Sequence, residues 1–172
     1  SMLYVLHVGD DRMKAFNRML PNYTLYRSSR QRVKIGAAVK AINAKHLKRY
    51  DPVIITLEAA LDPVRDSSFV LSLLQLQEAT NVVLFNYGNS NNLKQLSGME
   101  TVVQSYGNTP WEQELGAQLA FGGVAAKGHL PMQYDTVFAY HSGEYQEHPV
   151  RLQYVMPEEV GICADSLDRI DY

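Results

Sequence analysis

Two aspartates, a glutamate and a run of amides stand where the apolar runs of this chain stop. Asp10 and Asp11 follow residues 3–8 and Gly9. Glu58 follows residues 53–57, and the string Asn86-Tyr87-Gly88-Asn89-Ser90-Asn91-Asn92 follows residues 82–85. Ser105 to Trp111 follows a further apolar run at 101–103. Carboxylates and amides so placed can hydrogen-bond a sugar or hold a divalent cation. An exposed Trp111 face, directly after Pro110, would suit a pyranose ring. The competing use is structural, and it is the default expectation for all of them. Aspartates cap helices and complement their dipoles, amides solvate loops, and Trp111 packs on a sheet edge.

Other chemistries fail on residue type. A phosphate-accepting receiver needs an aspartate ending its third strand, and this chain ends that run Thr56-Leu57-Glu58. It also needs a lysine after the fifth strand, where Ser105-Tyr106-Gly107 stands. Dinucleotide binding needs a G-x-G-x-x-G turn, but Gly9-Asp10-Asp11-Arg12 has one glycine and two carboxylates that would repel a pyrophosphate. Gly88-Asn89-Ser90-Asn91-Asn92 lacks the last glycine of a nucleophile elbow, and no Ser-x-x-Lys is present. The five histidines show no metal-ligand spacing. His7 alternates within a strand and reads as a core or interface side chain. The loop with His141, Glu144, Glu147 and His148 is the remaining place to look for a metal. The single cysteine, Cys163, forms no internal disulfide and reads as a small apolar filler.

The elements that position these residues alternate. Apolar strands are expected at 3–9, 23–26, 53–57, 82–85 and 101–103. Helices are expected at 13–20, 33–49 and 66–79, and from Pro110 to Gly122. A third strand that is apolar throughout fits a parallel sheet covered on both faces. The resulting order, β-α-β-α-β-α-β-loop-β-α, predicts an α/β fold: a three-layer α/β/α sandwich, flavodoxin-like, with a mainly parallel sheet of about five strands. After Pro131 the alternation is lost. At 172 residues and net charge −2 the chain suits one domain. Scattered Lys and Arg exclude a nucleic-acid partner, and no apolar stretch is long enough to span a membrane.

Gln118-Leu119-Ala120-Phe121-Gly122-Gly123 followed by Gly128-His129-Leu130-Pro131, set after two strands and a helix, resembles the C-terminal domain of glycoside hydrolase family 3. The loop that often reads Gly-Asn-Pro in that family is Gly88-Asn89-Ser90 here. Pro157-Glu158-Glu159-Val160-Gly161 and the Asp165–Asp171 stretch resemble the start of a serine β-lactamase-like domain. Residues 1–147 are thus expected to form the family 3 C-terminal-like domain, and 148–172 a linker and a truncated domain start. The second resemblance is similar to bacterial fusions of the β-N-acetylglucosaminidase branch. It implies a non-catalytic accessory domain, inactive alone, whose partner is a (β/α)8 barrel of the same polypeptide that carries the nucleophilic aspartate and binds the carbohydrate. No cofactor and no metal are implied, and a periplasmic or extracellular bacterial setting is. Asp10, Glu58, Asn86, Asn89 and Trp111 become the candidates for a substrate rim or interdomain contact, with no catalytic residue among them. In the β-glucosidase branch the second domain supplies an acid/base glutamate, and Glu58 is the glutamate at a strand end. The alternative is a flavodoxin-like or receiver-like binding or signalling module.

Overall fold

The computed structural model describes residues 2–28, 32–42 and 44–149. Five strands, β1 (Met2–Val8), β2 (Tyr26–Ser28), β3 (Tyr50–Leu57), β4 (Val82–Tyr87) and β5 (Val102–Ser105), form one sheet in the order β2-β1-β3-β4-β5. Every pairing is parallel. The helices are α1 (Lys14–Met19), α2 (Ile35–Ala41), α3 (Ala44–Leu47), α4 (Ser67–Gln77) and α5 (Pro110–Ala120). The expected α/β fold with a parallel five-stranded sheet is therefore the observed one.

Strand alternation divides the core in two. Leu6, Val8, Val53, Ile55, Leu57 and Leu84 face one layer, where Ala38, Ile42, Leu47, Phe69, Leu73 and Leu76 arrive from α2, α3 and α4. Leu3, Val5, Ile54, Phe85 and Tyr87 face the other, against Phe16 and Ala117 of α1 and α5. On α4 the buried residues Phe69, Leu73 and Leu76 recur at i, i+4 and i+7, the spacing of one helix face. Buried side chains of this size each contribute about 1.5–3 kcal/mol relative to exposure.

Three elements differ from the sequence expectation. The helix expected at 33–49 is broken, because Ile42 leaves the helical region (φ −79°, ψ 71°). In an unbroken helix Leu47 would sit about 180° round from Ala38. The break lets both reach the same core. The second strand begins at Tyr26 and not Tyr23, which caps a 3-10 turn over Leu20–Asn22 and stacks on Phe121 at 5.5 Å. Leu25 is 86% exposed, so its β propensity found no sheet to join. The third strand starts at Tyr50 and runs through Pro52, at the point where the β1 register shifts between Met2 and Tyr4. Such an irregularity is where a central strand tolerates a missing N–H.

Beyond α5 the chain changes layers. Gly123 lies against Tyr23 on the α1/α5 side, Tyr134 is buried and hydrogen-bonded to Tyr106, and Phe138 packs on the opposite core. The segment thus passes the β5 side of the sheet. His129 and His141 stack at 4.5 Å. Most of the proposed 148–172 unit, including Cys163, lies outside the described residues. No helix among the described residues is long and apolar enough to cross a membrane.

Candidate functional site at the carboxyl edge of the sheet

In a 2-1-3-4-5 sheet the crossovers from β1 and β3 leave on opposite faces, which opens a crevice at the carboxyl ends of those two strands. Glu58 closes it. Its Oε2 accepts the backbone N–H of Asp10 at 2.9 Å and of Asp11 at 3.1 Å. Gly9 makes this possible twice over. Its φ of +132° disfavours an L side chain, and a Cβ there would lie 2.8 Å from Glu58 Oε2.

Asp11 extends the chain of bonds toward α5. Oδ1 accepts the N–H of Met13 at 2.6 Å, and Oδ2 accepts Asn108 Nδ2 at 3.0 Å and Gln113 Nε2 at 3.3 Å. Gln113 Oε1 in turn accepts the N–H of Ala15 at 3.2 Å. The aspartates were expected to cap α1. That position is taken by Met13 in a left-handed conformation (φ 49°) with no side-chain cap, and Asp11 instead forms an i to i+2 turn. Asp10 is exposed, and its carboxylate has no hydrogen bond or ion pair among the described residues.

The β4–β5 half of the edge is built from neutral amides. Asn86 is fully buried. Its Nδ2 donates to Gln104 Oε1 at 2.6 Å and to the Asn89 carbonyl at 2.9 Å, and its Oδ1 accepts Asn92 Nδ2 at 2.8 Å. Asn92 also donates to the Ala59 carbonyl and accepts the Leu61 N–H. Asn89 accepts the N–H of Asn91 through its side chain while staying exposed. This half binds the loop after β3 to the loop after β4, and Asn86 stands behind the surface.

Trp111 lies in the first turn of α5, started by a capping box in which Thr109 and Glu112 bond reciprocally. The Thr109 N–H, then its hydroxyl, lower the Glu112 carboxyl below its ordinary range. Trp111 is 63% exposed and belongs to neither of the two cores. It sits two positions before the buried Gln113, about 200° round the helix.

Beneath the mouth, His7 is buried in β1. Its Nδ1 lies 2.7 Å from Thr56 Oγ1, and its Nε2 lies 2.9 Å from Asn17 Nδ2. Burial pushes the imidazole below its ordinary value, opposed by the Asn17 bond and the Asp11 charge. The core reading of His7 is what the structure shows. No group of three or more His, Cys, Asp or Glu able to hold a metal occurs among the described residues.

The edge therefore gathers Asp10, Glu58, Asn86 and Asn89 along the ends of β1, β3 and β4, with Trp111 past β5. Sequence reasoning passed over Gln113 and Gln104. Gln113 is one of two buried glutamines of α5, with Gln118, and Gln104 follows Val102 and Val103 in β5. Each is the signal that a polar partner waits opposite.

No protein-family model matches this sequence. No curated protein matches it. Among solved structures, its fold is similar to part of a fungal multi-domain GH3 β-N-acetylglucosaminidase that carries a GCN5-related glucosamine N-acetyltransferase region. The TM-score is 0.61 and the identity 16%, over 83% of this chain and 17% of that one. This chain thus spans a minor part of that protein, and the likeness shows a shared fold. A putative pilus assembly-related protein from Burkholderia pseudomallei aligns at a TM-score of 0.45 and 19% identity, over 69% of this chain and 89% of that one, too slight a likeness to carry further.

Proposed function

We propose that this chain is a non-catalytic accessory domain of a glycoside hydrolase whose parent removes terminal β-N-acetylglucosamine. On this reading the carboxyl edge packs against a (β/α)8 barrel encoded with it. The observation that carries the reading is the fold shared with a stretch of a GH3 β-N-acetylglucosaminidase over 83% of the chain, taken with the Phe121-Gly122-Gly123 and Gly128-His129-Leu130-Pro131 motifs. The state of Glu58 supports the non-catalytic part. A retaining glycosidase needs two carboxyl groups about 5–5.5 Å apart across the bond, and Glu58 Oε2 is already engaged by two backbone N–H groups of its own domain. Asp10, Asn89 and Trp111 are the exposed candidates for the interdomain or rim contact. Residues 148–172 would lead into the next domain.

The purified chain should leave aryl β-N-acetylglucosaminides and aryl β-glucosides uncleaved, and should restore turnover to the separately produced upstream barrel. Turnover by the chain alone that is lost in Glu58→Gln would overturn this. So would an upstream coding region with no barrel.

The strand order favours one second reading, a receiver-like or flavodoxin-like module, since those folds share it. A magnesium-dependent mass gain of one phosphoryl group from acetyl phosphate would support that reading.

A further inference from the structure

A depression of about 600 Å³ opens beside the mouth, between the β1–α1 loop and the start of α5. Four cations line it, Arg12, Lys14, Arg18 and Arg32, together with Asp10 and Asp11. One of the four cations has its charge already paired, and one of the two carboxylates has its acceptors occupied. Arg18 pairs with Glu114, and Asp11 is occupied by Met13, Asn108 and Gln113. Arg12, Lys14 and Arg32 have no ion pair among the described residues. They face two carboxylates: Asp11, whose neutral donors leave its charge in place, and Asp10, which has no partner among the described residues; Arg12, Lys14, Arg32 and Asp10 are all exposed.

Like charges held around one concavity repel one another and concentrate anions there. Arginine forks suit planar or tetrahedral oxyanions, and a lysine adds a point charge. Three cations without an ion pair supply enough N–H donors to hold the several oxygens of a phosphate monoester. Asp10, an acceptor with no partner, suits a hydroxyl. We propose that this depression binds a small phosphate monoester bearing hydroxyl groups, the chemistry of a sugar phosphate, with Arg12, Lys14 and Arg32 on the phosphate and Asp10 on a hydroxyl. This goes beyond the accessory-domain reading and does not rest on it, because the chain alone carries the whole depression.

The test is calorimetric titration of the full chain at low ionic strength, where screening is weak. Glucose 6-phosphate is the probe, beside glucose, inorganic phosphate and glucuronate. Glucose 6-phosphate should bind saturably and more tightly than inorganic phosphate, and glucose should give no heat. Arg12→Gln with Arg32→Gln should weaken binding by about tenfold or more, with an unchanged circular dichroism spectrum. Arg18→Gln combined with Glu114→Gln should change it by less than about twofold, because the pair is removed with no change in net charge. No binding at millimolar ligand would overturn the proposal. Equal weakening by that charge-neutral pair of substitutions would show that Arg12 and Arg32 have no special part in binding and would also overturn the proposal. Glucuronate binding as tightly as the ester would overturn the phosphate assignment, and inorganic phosphate doing so would overturn the hydroxyl contact to Asp10.

Discussion

The two halves of the carboxyl edge solve one problem, closing loops over strand ends, with different chemistry. At the β1–β3 mouth, carboxylates of Glu58 and Asp11 take backbone N–H groups in a partly exposed setting. At the β3–β4–β5 end, the buried Asn86 bonds the neutral amides of the buried Asn92 and the half-buried Gln104. Burying an unpaired charge is far more costly than burying a satisfied amide. The amide half can therefore be dry and rigid, whereas the charged half must stay near water. Openness at the first half and bracing at the second follow from that choice, and a ligand or partner has access to the first.

The sharpest way to break the comparison is to cut the amide half. Asn86→Ala leaves the buried Asn92, the half-buried Gln104 and the Asn89 carbonyl each short of a partner. The expected loss is about 3 kcal/mol, roughly 6–12 °C in Tm for a domain of this size. Because amides do not titrate, the loss should be the same at pH 5.5 and pH 8. Thermal melts showing a loss under about 1 kcal/mol would mean that water enters this half as well.

The charged half is probed next at Gly9. Gly9→Ala combines an unfavourable φ with displacement of the Glu58 side chain, and should cost about 2 kcal/mol. Glu58→Ala alone should cost about 1 kcal/mol, since water replaces much of what one exposed and one half-buried N–H lose. Glu58→Gln, which keeps one acceptor oxygen, should cost still less. In a Glu58→Ala background the Gly9→Ala penalty should fall to about half, leaving backbone strain alone. Strict additivity in chemical denaturation would show that the two residues do not touch.

His7 gives the charged half a pH response that the amide half lacks. Burial holds its pKa below the unfolded value of about 6.5. Its neutral form is thus the one the fold favours, and this stability is fully present above the unfolded pKa. Between the unfolded and folded values the unfolded chain binds more protons, so stability drops as pH falls, by at most about 1.4 kcal/mol per unit. Asp62 and Glu112, whose values are lowered too, act only nearer their own unfolded values of about 4. Denaturation midpoints between pH 7 and pH 5.5 should decline in the parent and flatten in His7→Gln. A parent curve flat over that window would show that His7 can be protonated without cost.

Most of the fold was legible because its signals are local. Val82–Phe85 is apolar without interruption and Val53–Leu57 is so apart from Thr56, and Thr109-Pro110 with Glu112 spells a helix start. The broken α2–α3 stretch was not legible, because unbroken helical spacing and a core shared by Ala38 and Leu47 conflict, and only tertiary packing decides between them. At the site, strand-end residues could be named from the chain, but their partners could not. Glu58 meets Asp10 and Asp11 from 48 and 47 residues away, and Asp11 meets Gln113 from 102. Trp111 was expected against the sheet because tryptophans are usually mostly buried. The helix phase fixed by Gln113 and Ala117 turned it outward.

Trp111 is also where the smallest effect on the isolated chain is expected, and where that smallness is informative. Its side chain lies outside both cores, and its helix start is secured by Thr109 and Glu112 without it. Trp111→Ala should therefore change stability by no more than about 0.5 kcal/mol, as for other exposed positions. A large aromatic surface exposed on one rim suits contact with something else, and buried aromatics dominate interface energetics. If the carboxyl edge meets a barrel, the same substitution should weaken rescue of that barrel by tenfold or more, with an unchanged melting curve. Asn86→Ala should show the reverse, a large stability loss with little change in docking among the molecules that remain folded. Equal docking by wild type and Trp111→Ala would move the contact away from this rim. A stability loss above about 1 kcal/mol would instead place the indole within the fold.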